Sequence, residues 1–492
     1  MTPFRTLIKG LSQRASGGDL DVLVRGVVSD TRKLEPGDVY VAVVDALHKG
    51  LDFVADAVAR GAAALVLPAA PETDPGVPWL VVPHTGAALA RLCAAVYGEP
   101  TGDLVGITGT SGKTTTATIL HTILETAGRK AGLFGTAVGA TYLGETRKTG
   151  LTTPEAPELF ALLAEMRASG VDAVTMEVSS HGISLKRTYG LPWTVGVLTG
   201  VGNDHLDFHE SHDAYADTKV NWLLDEVARS KRVKGVVVPE DDEFGMQVHS
   251  EFRGGPVLTF GFEEEADIFP LSLELSPTGT RGTIHTPDGG LMLDLRLPGR
   301  HNVRNAMAAI GAAQLLGIQA IDIVDGISRV QRVPGRLEPV PNDRGFTVLV
   351  DYAHKPDALL AVLTSVRELI AETARVIVVF GCGGDRDRQK RPEMARIAYA
   401  HADEVVITSD NPRSEDPQSI VEEILLGLPA DVDGERVHVD VDRASAIARA
   451  MALAEPGDLV LIAGKGHETG QIIKGETRPF DDRLVAAEVL AR

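Results

Sequence analysis

The chain has 492 residues, a formal net charge of −20, 44% hydrophobic residues and 51 glycines, which suits an α/β protein of two to four domains rather than a fibrous or disordered one. The acidic balance argues against a sequence-independent grip on nucleic acid phosphates, and two distant cysteines, Cys93 and Cys382, leave no disulfide framework or CxxC pattern. The N-terminus lacks the apolar core of a signal peptide and no apolar run approaches the ~18 residues of a membrane span, so the sequence predicts a soluble, cytoplasmic protein with no membrane partner.

In chain order, three blocks are expected. Residues 1–98 hold the strand candidates VYVAVV (39–44), AALVLP (63–68) and WLVVP (79–83), with the helix-like FVADAVARGA between the first two. The turn-rich YGEPTGD (97–103) marks a boundary. Residues 99–332 open with LVGITGTSGKTTT, continue through a helix ELFALLAEMRASG (158–170) and strands AVTMEV and TVGVLTG, and include an antiparallel excursion with a DGG turn at 271–299 and an Ala-rich helix at 304–317. Residues 333–492 hold four strand candidates, FTVLVDY, RVIVVFG, EVVITSD and DLVLIAG, separated by helical patterns, which reads as a parallel doubly wound unit. Nearly every buried strand in the last two blocks runs into a polar or Gly-rich cluster at its carboxyl end, the edge where open α/β sheets place ligands.

GITGTSGKTTT (106–116) is the strongest local signal. Backbone N–H groups of Gly109, Thr110, Ser111 and Gly112 can wrap a polyphosphate, Lys113 adds a point charge, and Thr114 offers a hydroxyl to Mg²⁺, followed by Thr115. Ile107 stands where the general phosphate-loop pattern has glycine, a variant similar to that of Mur ligases and folylpolyglutamate synthetases. Forming an amide from a carboxylate needs activation that ATP can supply as an acyl phosphate, with cationic help for the phosphoryl group. Glu177 in MEVSSH and His205 in NDHLDFH both follow strands of the phosphate-loop block and are candidate metal ligands, although each alone also fits a structural role. Lys219, in AYADTKVNWL, reads from its own neighbourhood as a surface helix lysine.

Eleven motifs in order, SDTRKLEPGDVYVAV, GTSGKTTT, TTPEAPELF, MEVSSHG, DHLDFH, RVPGRLE, DYAHKPDAL, GCGGDRDRQKRP, SDNPRSEDP, GKGHE and FDDR, make the chain resemble the MurE-type Mur ligases over nearly its whole length. The resemblance implies a three-domain α/β architecture: a UDP-substrate domain (1–98), a central ATPase (99–332) and a Rossmann-like C-terminal domain (333–492) that closes over the amino acid. It implies a monomeric, ATP- and Mg²⁺-dependent enzyme that adds diaminopimelate to the UDP-MurNAc dipeptide. It places the uridine nucleotide near Thr31 and the muramoyl dipeptide at Thr152, Thr153, Ser179 and Arg187. The carbamylated lysine of the family matches Lys219, which would join Thr114, Glu177 and His205 at the metal and act with Lys113 in catalysis. Asn305, Arg336 and Asp351 resemble adenosine contacts, with His354 near the phosphates. Arg386 and Arg413 are similar to residues that pair with the distal carboxylate of diaminopimelate, Asp410 and Glu468 to those that take its ammonium, and Asn411, Pro412 and Gly464 complete the pocket.

The sequence departs from the family at Leu151 before TTPEA, at Gly200 after Thr199, at His301 where Phe is common, and around the uridine site, where DALHKG carries Asp45 and Lys49 at altered positions. These departures keep open a paralogue that ligates an amine to another carboxylate. A nucleotide-gated scaffold without turnover is a third reading, which the retention of Lys113, Glu177, His205 and Lys219 opposes.

Overall fold

The computed structural model describes residues 1–45, 49–202, 208–209 and 211–492. These divide into two compact units, Met1–Ile268 with Ala308–Ile323 and Phe269–Met307 with Val324–Arg492. No helix among the described residues is long and apolar enough to cross a membrane.

The first unit carries two main sheets. In the smaller, the expected strands Val39–Val41, Ala64–Leu67 and Trp79–Val81 lie parallel and adjacent, and the helix Val54–Ala59 connects the first two. The larger has eight strands in the order Glu145–Arg147, Gly139–Tyr142, Ala131–Gly135, Ala173–Glu177, Asp103–Thr108, Val195–Leu198, Gly235–Pro239 and Val257–Phe260. From Ala131–Gly135 onward every pairing is parallel, and the first two strands form an antiparallel edge. Ala131–Gly135, Ala173–Glu177, Val195–Leu198 and Gly235–Pro239 are buried at every residue. That is why they read as unbroken apolar runs: a parallel sheet covered on both faces has no solvent side to mark with polar residues.

The predicted helix of the second block is Ala156–Ala168, opened by Pro157 in its first turn. It ends where the sequence places its stop: Gly170 takes φ +81°, and the Val171 N–H turns back to the Met166 carbonyl at 2.9 Å, the glycine-terminated helix end.

In the second unit the 271–299 excursion is a three-stranded antiparallel sheet of Phe269–Ser276, Gly279–His285 and Leu291–Leu295. Its last strand alternates buried and exposed residues, as a sheet with one wet face requires. A reciprocal pair of backbone bonds between Thr286 and Gly289 (3.1 and 2.9 Å) closes the turn. The doubly wound sheet orders Glu338–Pro339, Thr347–Asp351, Leu459–Ala463, Val376–Phe380, Glu404–Ile407 and Val437–Val439, parallel except for the first pair. The last of the four predicted strands thus inserts between the first two, a crossing of the kind that opens a ligand crevice at the carboxyl edge.

The centre of the eight-stranded sheet has no spare volume at Gly106. A Cβ there would lie 2.6 Å from the Trp222 ring and 2.8 Å from Trp193, whose rings meet edge to face at 5.2 Å. Gly106→Ala should therefore destabilise the first unit by about 1–3 kcal/mol, the range for overpacking a filled core. A denaturant midpoint equal to that of the parent would refute this.

Candidate active site

Parallel register decides what meets at the upper edge of the eight-stranded sheet. Ile107 lies opposite Glu177 on one side, and Thr108 opposite Leu198 on the other. The segments leaving these strands, 109–112, 178–180 and 199–202, are therefore delivered together. Gly109 (φ +147°) and Gly112 (φ +85°) give the loop its path, and a Cβ at 109 would collide with the Thr199 hydroxyl. The helix Lys113–Thr126 starts on Gly112, with Thr114 and Thr115 buried in its first turn. The Lys113 ammonium donates to the carbonyls of Gly109 (2.7 Å) and Thr110 (2.9 Å).

A brace holds the loop from the neighbouring strand. The Thr199 hydroxyl lies 2.5 Å from the Ser111 carbonyl and 3.2 Å from that of Thr108. Thr110 N–H donates to Gly200 O at 2.9 Å, and Gly202 N–H donates to the Thr110 hydroxyl at 2.8 Å. Gly200, one of the departures from the family, sits at φ +133°, in the region that favours glycine.

Glu177 is 1% exposed. Its carboxylate accepts the Thr136 N–H at 3.0 Å and the Thr136 hydroxyl at 3.3 Å, and that hydroxyl is 2.8 Å from the Thr152 hydroxyl. Thr153 donates to the Glu177 carbonyl (3.0 Å), accepts the Ser179 N–H (3.0 Å) and lies 3.2 Å from the Ser179 hydroxyl. Arg187 donates to the Thr153 carbonyl at 3.1 Å and pairs with Glu155 at 2.6 Å. The structure thus gathers Thr152, Thr153, Ser179 and Arg187 around Glu177. Ser111, by contrast, is exposed and Leu151 points to solvent.

Lys219 corrects the reading drawn from its local sequence. It lies on the helix His212–Asn221 but is 1% exposed, with its ammonium 4.0 Å from the centre of the Tyr215 ring. The Tyr215 hydroxyl reaches Thr110 at 3.0 Å, so the lysine and the phosphate loop share a neighbour. His205 lies outside the described residues, as do three residues of DALHKG; its Lys49 pairs with Val44 across an antiparallel bridge. Thr31 is buried in the smaller sheet's domain, in the turn Thr31–Lys33, and its hydroxyl, with Arg60, holds the Asp56 carboxyl below its ordinary range.

In the second unit Asp351 ends the strand Thr347–Asp351 and accepts the N–H groups of Ala353 and Leu337, both at 2.8 Å. The Tyr352 N–H donates to Gly335 O at 2.9 Å, and the Arg336 guanidinium lies 5.2 Å from the Tyr352 ring centre. Asn305 is buried beside Asn302, at 3.4 Å. His354 shares 2.8 Å between Nδ1 and the Tyr352 carbonyl, and the Lys390 ammonium donates to the His354 carbonyl at 2.8 Å. His301, in place of the family's phenylalanine, is 3.0 Å from the Ser365 hydroxyl.

The turn after Glu404–Ile407 brings the remaining candidates together. Asp410 accepts the Asn411 N–H through Oδ1 at 2.7 Å, while its buried Oδ2 has no hydrogen-bond partner among the described residues. A Cβ at Gly464 would lie 2.8 Å from that oxygen. Asn411 donates to Glu468 at 2.9 Å. Arg413 takes φ +53° and donates to the Gly384 carbonyl at 2.7 Å, and Pro412 packs its carbonyl against Gly384 so closely that no Cβ fits there. Arg386 is exposed, donating at 3.1 Å to the Asp385 carbonyl.

Several functional supports escape sequence reasoning. Arg443 and Asp482 are both fully buried and joined by two bonds of 2.7 Å. Arg443 also donates to the carbonyls of Ser409 (3.2 Å) and Ala463 (3.0 Å), tying the residues just before Asp410 and Gly464 to one guanidinium. Arg391, also fully buried, binds Glu415, Glu423 and the Gly383 carbonyl, and holds the Glu415 carboxyl down at about 2. Thr136, Tyr215 and Lys465 complete the group. FDDR and GKGHE contain Asp482 and Lys465, so the signal was present without a role.

The sequence profile of the Mur ligase middle domain matches residues 107–313, and that of the Mur ligase glutamate ligase domain matches residues 335–466. The UDP-N-acetylmuramoyl-L-alanyl-D-glutamate–2,6-diaminopimelate ligase of Syntrophomonas wolfei is 39% identical over 489 residues, 98% of each chain. The Streptomyces coelicolor protein of that name is 42% identical over 503 residues, covering 100% of this chain and 97% of its own. A solved structure of a ligase of that name superposes with a TM-score of 0.72 at 29% identity, over 100% of this chain and 99% of the other. The chain belongs to the Mur ligase family of ATP-dependent amide-forming ligases and is of the MurE type.

Two predictions follow from the buried charges. Arg443→Met leaves Asp482 as an uncompensated buried carboxylate and should destabilise the second unit by about 3–5 kcal/mol; a melting temperature unchanged from the parent would count against it. His301, His354 and His467 are each held below the ordinary imidazole value of 6.5, mainly by burial. The unfolded chain therefore takes up protons first as pH falls, so the second unit keeps this stability above about pH 6.5 and loses it below. The slope is at most about 1.4 kcal/mol per pH unit for each histidine. Denaturant midpoints at pH 7.5 and 5.5 should show the fall, and His467→Gln should make it shallower.

Proposed function

We propose that this Mur ligase joins diaminopimelate to the side-chain (γ) carboxylate of the D-glutamyl residue of UDP-MurNAc-L-Ala-D-Glu, forming UDP-MurNAc-tripeptide for peptidoglycan. The observation that carries the reading is the 410–413 turn. It carries the buried Asp410 carboxylate, with one oxygen unpartnered among the described residues, and three residues on Arg413, whose guanidinium reaches the Gly384 carbonyl, the two kinds of charge that a ligand with a distal ammonium and a distal carboxylate requires. Relatives named for that reaction match over the first domain as well as the other two, which weighs against a paralogue with another carboxylate substrate.

In this reading residues 1–98 hold the uridine nucleotide, near Thr31. Residues 99–332 hold the polyphosphate of ATP on the N–H groups of Gly109–Gly112, with Lys113, Thr114 and Thr115. Thr152, Thr153, Ser179 and Arg187 hold the dipeptide, and Asn305, Arg336 and Asp351 serve the adenosine. The residues fit a hard divalent cation: the Thr114 hydroxyl and the Glu177 carboxylate lie at one sheet edge and offer oxygen ligands. Lys219, buried near the loop, would add a third as its carbamate, and His205 a nitrogen. Mg²⁺ bound there would neutralise charge on the phosphoryl group in transfer.

The D-glutamyl carboxylate attacks the γ-phosphorus of ATP, giving an acyl phosphate and ADP. The free amine of diaminopimelate, presented from residues 333–492, attacks the acyl carbon. A tetrahedral intermediate forms, the C–O bond to phosphate breaks, and the amine loses a proton to leave the amide. At the far end of the amino acid, Arg413 and Arg386 pair with the carboxylate, and Asp410 and Glu468 with the ammonium, while Asn411, Pro412 and Gly464 shape the pocket. Lysine lacks that carboxylate and would strand the Arg413 charge, at a cost on the order of several kcal/mol.

Phosphate release with ATP, Mg²⁺ and UDP-MurNAc-L-Ala-D-Glu should be rapid with diaminopimelate and weak with L-lysine, with tripeptide detected by mass. Arg413→Lys, which keeps the charge but not the bidentate fork, should raise the KM for diaminopimelate roughly tenfold to a hundredfold. Absence of tripeptide from the parent enzyme, with ATP still bound, would overturn the assignment.

A further inference from the structure

We infer that Lys465 is a positioning residue that sets the charge of the amino-acid pocket to match a single distal ammonium. Its side chain is fully buried. Its ammonium donates to Asn411 Oδ1 (3.1 Å), Glu468 Oε2 (2.9 Å) and the Gly470 carbonyl (2.7 Å). An ammonium has three N–H donors, and all three are spent on the protein. Lys465 therefore acts on the substrate through other residues and does not touch it.

The local sequence forces this placement. Lys465 stands between Gly464 (φ +119°) and Gly466 (φ +52°). A Cβ at 466 would lie 2.9 Å from the Tyr352 Cα, and one at 464 would lie 2.8 Å from Asp410 Oδ2. Only a chain without side chains on either side can turn the lysine inward so close to Asp410.

Two consequences follow, both resting on the reading above that Asp410 and Glu468 receive the ammonium. The first is geometric. Asn411 is fixed from three directions, by Lys465 and the Ile472 N–H on its oxygen and by Glu468 on its nitrogen, so one carboxylate oxygen of Glu468 is anchored and the other is left for the ligand. The second is electrostatic. Asp410 and Glu468 carry two negative charges, Lys465 returns one, and the remainder equals the charge of one ammonium. Without Lys465 the pocket would set two carboxylates, Asp410 buried and Glu468 half-buried, against one cation, and nothing would hold the Asn411 and Glu468 side chains in place to receive it.

The test is steady-state kinetics of the full-length enzyme with Lys465→Met. The KM for diaminopimelate should rise at least tenfold, while the KM for ATP and for UDP-MurNAc-L-Ala-D-Glu stay within twofold. Lys465→Arg, which keeps the charge but replaces three diverging donors by a planar fork, should recover part of the loss. If Lys465→Met fails to fold by circular dichroism, Lys465→Arg decides alone, with at least a threefold rise in the KM for diaminopimelate expected. An unchanged KM in a folded variant, or an equal rise for all three substrates, overturns the inference. Arg413→Lys run in parallel separates the two readings. If that variant raises the KM for diaminopimelate and the Lys465 variants do not, only the positioning role is lost. If the parent enzyme makes no tripeptide, the functional assignment fails and the positioning role with it.

Discussion

Parallel strand pairing with fixed register is the constraint on which the rest of this molecule hangs. When Glu177 lies opposite Ile107, and Leu198 opposite Thr108, every polar segment that follows those strands must emerge at the same edge. The second unit repeats the rule: Asp351 lies opposite Ala463, and Phe380 opposite Ile407, so Gly464, the 381–386 loop and the 408–413 turn share one rim. Strand interiors contribute nothing to chemistry, but they fix where the chemical groups begin. The cost of a wrong register would be large, because these strands are buried on both faces and any slip would break apolar packing along their whole length.

At those rims the backbone is tied down by polar side chains rather than by apolar packing. Thr199 and Gly200 hold the phosphate loop, Thr136 holds Glu177, and Arg443 holds the two segments that carry Asp410 and Gly464. Such bonds lie in a low-dielectric setting where each is stronger than in water. Where one carboxylate oxygen has no partner among the described residues, as at Asp410, the surroundings hold a desolvated acceptor in a fixed direction. That is the preorganisation expected of a recognition site rather than of a structural one.

The sequence made the scaffold legible because its signals are local. Apolar runs such as VIVVF and LVLIA, the glycines of GTSGKT and the stop at Gly170 each act within a few residues, and their positions survive in the structure almost unchanged. What was illegible depends on partners far along the chain. Arg443 means nothing until it meets Asp482, 39 residues away, and Thr136 is an unremarkable loop threonine until Glu177 arrives from 41 residues on. Lys219 shows the same limit from the other side. HDAYADTKVN has no apolar stripe to say which face is inward, so the helix reads as a surface one, while its lysine is among the most buried in the protein. The departures at Gly200 and His301, which in the sequence keep a paralogue open, are locally satisfied, one by its backbone angle and the other by Ser365.

The two glycines around Lys465 have a bearing on how such an enzyme can change over time. Positions 464 and 466 leave no room even for a methyl group, because the obstacles are Asp410 and the Tyr352 backbone. Drift is therefore closed on that side of the pocket. The 410–413 turn is different: in the proposed function its residues act through side chains, and Arg386 on the adjoining loop is exposed. A descendant that came to favour another amine would have to be rewritten in the 410–413 turn and its neighbour, with the glycine-flanked lysine inherited intact. On the inferred role, the lysine would then outlast the substrate it was set to match.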